Sequence, residues 1–197
     1  KYLMKFHVWA RFEALAARRA GVCVAVSNET KESVESYYRA EKVRVIPNAV
    51  DTERFKPLAA GKKNQAIFVG RFEHAKGRET LEGMKSFLEG KGWVLLVAET
   101  LSQEDLAVAY NESRVFLLPS LHEGCSYALL DAMACGLPFL ASPVGLVSDF
   151  AKEGLFGKCI VVEQSVNAYI SKFEALMDMD GGDLARLTGA LRDYILR

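Results

Sequence analysis

The chain has 197 residues, half of them apolar, and sets 25 Lys and Arg against 25 Asp and Glu. That balance excludes the strongly basic class of nucleic-acid binders, which needs an excess of cations to neutralise phosphates. Ten per cent aromatics with only 15 Gly and 5 Pro exclude disordered and low-complexity classes, and apolar runs such as 93–98 and 115–118 fall far short of the ~20 residues that cross a bilayer.

Taken in chain order, the sequence opens at Lys1 with no signal or transit pattern, since Glu13 and Arg18-Arg19 break the first apolar stretch; the expectation is a segment of a longer, soluble protein. A helix is expected over 2–19, with Tyr2, Phe6, Trp9 and Phe12 set among Lys1, Lys5 and Arg11. That stripe suits burial in an α/β layer or peripheral contact with the inner face of a membrane. Residues 1–63 hold 13 basic and 7 acidic side chains against 12 and 18 in the remainder. The first third therefore suits an anionic lipid surface or an acidic acceptor, or simply presents solvated helix faces. Strands are expected over 22–26, 43–46, 66–69, 94–97, 115–118, 138–141 and 158–162. They alternate with helices over 29–40, 77–89, 102–112, 126–135, 146–152, 166–178 and 183–196. This alternation specifies an α/β fold, a mostly parallel sheet with helices on both faces. Pro47-Asn48 ends one strand, and 51–65, with Pro57, Gly61 and Lys62-Lys63, reads as a connector that divides the chain into residues 1–55 and 56–197. Cys23, Cys125, Cys135 and Cys159 form no CxxC pair, and His7, His74 and His122 are scattered. No metal site or disulfide framework is expected, and a reduced, cytoplasmic setting follows.

In such sheets the loops leaving the carboxyl ends of the strands carry the chemistry. After 66–69 comes Gly70-Arg71-Phe72-Glu73-His74-Ala75-Lys76-Gly77. Gly70 permits a sharp exit, and Arg71 and Lys76 precede a helix whose amino end offers free N–H groups. Two cations with a helix dipole suit a diphosphate, the Arg as a planar fork and the Lys as a point charge; the bland alternative is two exposed basic residues. After 115–118 comes Pro119-Ser120-Leu121-His122-Glu123-Gly124-Cys125-Ser126-Tyr127 and then an apolar helix containing Asp131. A carboxylate inside such a helix needs hydrogen-bond donors: either ribose hydroxyls or a structural partner such as a backbone N–H, Ser120 or Ser126. Glu123 is placed to hold sugar hydroxyls or to cap the helix, and the amides of Cys125, Ser126 and Tyr127 to cradle sugar or phosphate oxygens. His122 reads as a loop residue facing water or as a second contact to the donor.

Four blocks stand in one order: Val45-Ile46-Pro47-Asn48-Ala49-Val50-Asp51 with Phe55 and Pro57; Val69-Gly70-Arg71 with Lys76-Gly77; Leu118-Pro119-Ser120 with Glu123-Gly124; and Asp131-Ala132-Met133-Ala134-Cys135-Gly136-Leu137-Pro138. Together they resemble the family 4 nucleotide-sugar glycosyltransferases, whose GT-B fold pairs two Rossmann-like domains. The resemblance covers about residues 20–165: the donor-binding carboxyl-terminal half and the last part of the acceptor-binding half. It implies that 1–55 are a remnant of the acceptor side and 56–197 the donor domain. It also implies retaining transfer from a UDP-, GDP- or ADP-sugar to a saccharide or lipid-linked acceptor, without a cofactor or metal. It assigns Arg71 and Lys76 to the diphosphate, Glu123 to the donor sugar and Asp131 to the ribose, with Gly70, Gly124, Cys125, Ser126 and Tyr127 lining the donor site. The catalytic set is Glu123, Lys76 and Arg71. The alternative is a module that holds a sugar nucleotide, or only a protein partner, and turns nothing over. Three departures stand out: Asp131 is one methylene shorter than the family's usual Glu, Ala49 replaces a frequent Gly, and Cys125-Ser126 replace Phe-Gly. One βα unit fewer than usual also separates the two donor loops, which removes part of the wall that holds the base.

Overall fold

Two parallel sheets run through residues 2–150 and 154–197, the residues described by the computed structural model. The amino-terminal layer consists of α1 (Tyr2–Arg19), β1 (Cys23–Ala25), α2 (Asn28–Tyr38) and β2 (Val43–Val45), with β1 and β2 paired in parallel. The larger part follows with β3 (Gln65–Val69), α3 (Arg78–Gly90), β4 (Val94–Ala98), α4 (Gln103–Glu112) and β5 (Val115–Leu118). It continues with α5 (Tyr127–Ala134), β6 (Phe139–Ala141), α6 (Leu146–Phe150), α7 (Val166–Met177) and α8 (Gly181–Ile195). Its strands pair in parallel in the order β4-β3-β5-β6.

Helix starts follow their caps. Ser27, Ser102, Ser126, Ser165 and Asp180 each turn a side-chain oxygen to an amide in the first turn of α2, α4, α5, α7 and α8. Crossovers between parallel strands are right-handed. The chain moves from β3 outward to β4 and then back across β3 to β5, which puts α3 and α4 on opposite faces. α7 packs with α3 on one face and α8 with α5 on the other. Between the layers Phe68, Phe116, Phe139, Ile67, Leu117 and Leu118 are fully buried. The two donor-loop strands, β3 and β5, are neighbours on either side of the point where the winding reverses. In an open parallel sheet that is where a crevice opens at the carboxyl ends of the strands.

A single helix, α4, joins β4 to β5, and β4 therefore lies at the sheet's edge. The connector is held rather than loose. Phe55 is buried in the larger core, Asn111 bonds Lys56 O and the amide of Leu58, and Arg192 reaches Thr52 O and Phe55 O.

One expected strand is corrected. Residues 158–162 do not form a ladder: Phe156–Cys159 make a 3-10 turn, and Ile160 makes only a parallel bridge to Ala141. Cys159, Ile160 and Val161 are buried while Val162 is 79% exposed, so the apolar run fills core space without extending along β6. The helix expected over 146–152 is described only to Phe150, and its last two positions lie outside the described residues. No described helix is long and apolar enough to cross a membrane, and all four cysteines are free thiols.

Candidate active site between the β3 and β5 loops

Backbone contacts lock the two loops together before any side chain enters the crevice. Gly77 has φ of +78, and a Cβ there would stand 2.0 Å from Pro119 O; only glycine tolerates both the left-handed backbone and the approach. Leu121 donates its amide to Ala75 O at 3.0 Å, and the amide of Phe72 is held by Glu99 Oε1 at 2.7 Å. Lys76 and Glu123 are thereby brought face to face.

Lys76 Nζ lies 2.6 Å from Glu123 Oε1, and Ser120 Oγ donates to the same oxygen at 2.9 Å. The Glu123 side chain is only 12% exposed. Both bonds fall on Oε1, so Oε2 keeps its capacity to accept from a ligand. Lys76, Glu123, Val69, Gly70, Cys125, Ser126, Tyr127, Ala128 and Asp131 line one cavity of about 370 Å³. Ser126 caps α5, with Oγ 3.4 Å from the amide of Leu129, and the start of that helix opens on the cavity. Tyr127 is exposed, whereas burial pushes the Cys125 thiol up from its ordinary pKa.

In contrast to Glu123, Asp131 has no cation beside it among the described residues. Among the described residues no donor bonds its carboxylate: Ser120 is spent on Glu123 and Ser126 on the α5 cap. Burial, reinforced by the charge of Asp51, raises its pKa from 3.8 to about 7. No structural buttress therefore holds it, and a half-buried carboxyl faces the cavity with acceptor capacity unused.

Arg71 stands apart from this group. It does not line the cavity; its guanidinium pairs with Glu73 at 3.0 Å and its side chain is 80% exposed. Gly124 is not in the lining either, because its carbonyl is turned to the amide of Leu146 at 2.9 Å. His122 is exposed, as expected for a loop residue facing water. Among the described residues no group of three or more His, Cys, Asp and Glu is placed to hold a metal ion.

Sequence reasoning missed Asn48, whose Nδ2 donates to Cys125 O at 2.8 Å and pins the loop from the connector. The residue stood in view as a strand terminator, but nothing in one sequence ties it to a carbonyl 77 positions away. Glu99, which holds the β3 loop, carried no signal at all.

A doubly wound parallel sheet with a polar crevice at its switch point defines an α/β protein of the Rossmann-like class. A model of the group 1 glycosyl transferases matches residues 52–179, and a Glycosyltransferase Family 4 model matches residues 1–54. The chain belongs to the group 1 glycosyltransferases. Among curated relatives, the UDP-Gal:alpha-D-GlcNAc-diphosphoundecaprenol alpha-1,3-galactosyltransferase of Escherichia coli is 28% identical, over 70% of this chain and 46% of its own. The MMP alpha-(1->4)-mannosyltransferase of Mycolicibacterium hassiacum is 25% identical, over 88% of this chain and 49% of its own. The chain thus spans about half the length of these relatives. Among solved GT-B structures, sucrose-phosphate synthase from Thermosynechococcus elongatus superposes with a TM-score of 0.78 at 19% identity, over 96% of this chain and 57% of that one. Anabaena Alr3699/HepE in complex with UDP-glucose gives a TM-score of 0.78 at 14% identity, over 94% and 62%.

Proposed function

We propose that this chain carries the donor site of a retaining glycosyltransferase that moves a sugar from a UDP-, GDP- or ADP-sugar to a saccharide or lipid-linked acceptor. Residues 56–197 form the donor domain. Residues 1–55 belong to the acceptor side, whose remaining wall comes from the longer polypeptide, at the inner face of a membrane for a lipid-linked acceptor. The observation that carries the reading is the convergence of Lys76, Glu123, the start of α5 and Asp131 on one cavity at the switch point.

The chemistry follows from the charges. A departing nucleoside diphosphate accumulates negative charge, which Lys76 and the amides at the start of α5 take up without a metal ion. Arg71 adds a second cation only by leaving Glu73, a short swing for an exposed side chain. Glu123, fixed through Oε1, orients the donor ring by accepting from its hydroxyls through Oε2. Asp131 accepts from the ribose hydroxyls, with both oxygens free to accept once it is ionised, so the contact strengthens as pH rises through about 7. The acceptor attacks from the face the diphosphate leaves.

Calorimetric titration of UDP, GDP and ADP onto the chain without divalent metal tests the donor site. Absence of binding by all three, with circular dichroism intact, would defeat it and favour a protein-binding module. Lys76→Ala in the complete polypeptide is expected to lower transfer about 100-fold, the loss typical of removing one preorganised charge-stabilising group. Unchanged transfer would remove Lys76 from the mechanism.

A further inference from the structure

The loop that presents Glu123 is braced from the amino-terminal layer by a side chain that does not line the cavity. Turn 143–148 sits against the carbonyls of that loop: a Cβ on Gly145, whose φ is +58, would stand 2.3 Å from Gly124 O and 2.6 Å from Glu123 O. The amide of Leu146 donates to Gly124 O at 2.9 Å. The amide of Gly145 itself donates to Oε2 of Glu29 at 2.5 Å, and Ser148 Oγ lies 3.0 Å from the same oxygen. Gly145 is buried but Glu29 is exposed, so the bond is partly exposed and removing the carboxylate leaves the amide to water. Glu29 stands in the first turn of α2. The neighbouring amide of Asn28 donates to Asp149 Oδ2 at 3.2 Å, which ties the same helix start to α6 a second time. Val26, at the end of β1, completes the brace: a Cβ on Gly124 would meet its Cγ2 at 2.9 Å.

We propose that Glu29 is a positioning residue for the donor site. Through the amide of Gly145 it fixes turn 143–148, and through that turn it fixes the carbonyl face of the loop carrying Glu123. The amino-terminal layer and the donor crevice are therefore mechanically joined at α2, and movement of the layer is felt at Glu123. The consequence for donor binding rests on the function proposed above; the effect on the loop does not.

Hydrogen exchange on the 197-residue chain, combined with UDP, GDP and ADP titrations, tests this. Glu29→Ala and Glu29→Asp, the second keeping the charge at the start of α2 but losing the reach, are expected to speed exchange of amides in 121–127 and 143–148. The change expected is about fivefold, the scale of one ordinary, partly exposed hydrogen bond, with α3 amides unchanged. Glu29→Gln, which keeps an acceptor oxygen at the same reach, is expected to match the parent. Nucleotide dissociation constants are expected to follow the same order. Unaltered loop exchange in Glu29→Asp overturns the proposal. So does the reverse order, a silent Glu29→Asp with a disruptive Glu29→Gln, because it assigns Glu29 to the helix dipole alone. Should Glu29→Ala unfold, Glu29→Asp decides the matter. If the parent binds none of the nucleotides, the proposed function falls while the exchange data still decide the role of Glu29.

Discussion

Residues 65–195 bury aromatic rings on both sides of a four-stranded sheet, with Phe68, Tyr110, Phe116, Phe139, Phe150 and Tyr169 all less than 2% exposed. The layer before them is thin. Its two strands have three residues each, and its described core is Ala25, Ala40 and Val43, while Trp9, Phe12, Val22, Val24, Tyr37 and Ile46 face outward. Polar links hold that layer together and to the rest: Tyr38 to Glu13, Arg18 to Tyr38 O, and Glu29 to Gly145. The larger part is stabilised by apolar area removed from water, which is non-directional and tolerant of small movements. The layer is located by hydrogen bonds, which are directional and weaken steeply as their angle departs from linear. The crevice is lined by residues of the larger part, and the amino-terminal segment reaches it only through a handful of contacts to the loop that carries Glu123 and to its neighbours.

Substitutions separate the two kinds of support. Phe116→Ala, in the middle of β5, is expected to cost about 3–5 kcal/mol in denaturant unfolding, since a fully buried ring leaves a cavity its neighbours cannot fill; a loss below about 1 kcal/mol would break the contrast. Gly77→Ala is expected to cost about 2–3 kcal/mol, because the new methyl meets backbone at Pro119 with no flexible side chain to yield. It is also expected to weaken nucleotide binding by pulling Lys76 from Glu123. Asp131→Asn sharpens the picture of the crevice itself. The native carboxyl holds its proton up to about pH 7 whereas the unfolded one releases it near 3.8. Its contribution to stability is therefore full below pH 4 and lost as pH rises through 7. Asn should be less stabilising at pH 5 than at pH 8, where its gain is no more than about 1 kcal/mol, screening by solvent allowed for. An equal effect at both pH values would deny the raised pKa. The smallest effect is expected at Trp9→Ser on α1, within about 0.5 kcal/mol, because Trp9 is 67% exposed. A larger loss would show that the chain itself covers that face.

Much of the fold was legible because local patterns and tertiary needs agreed. The stripe Leu81, Met84 and Leu88 that marks α3 as amphipathic is the face the core buries. The Ser caps and Gly136 set the ends of helices where the sequence placed them. The run 158–162 misled for the opposite reason: β-branched residues signal burial as much as pairing, and here only burial was required. At the site, Lys76 and Glu123 were legible from their place in strand-exit loops. Arg71 stood in an equivalent place, yet a nearby Glu73 holds it in solvent. No single-chain pattern decides between two partners for one flexible guanidinium.

By itself the sequence determined the alternation of strands and helices, the positions of the two exit loops and the residue types that line them, since periodicity, caps and glycines act over a few positions. Only the tertiary structure decided that β3 and β5 are neighbours, that Lys76 meets Glu123 while Arg71 turns away, that Asp131 lacks a cation among the described residues, and that Asn48 and Glu29 brace the loop from afar. Apart from the local pairing of Arg71 with Glu73, those outcomes depend on distances between segments far apart in the chain, 47 to 116 positions for the contacts of Lys76, Asn48 and Glu29. Such distances are fixed by how the layers pack, which no local pattern records.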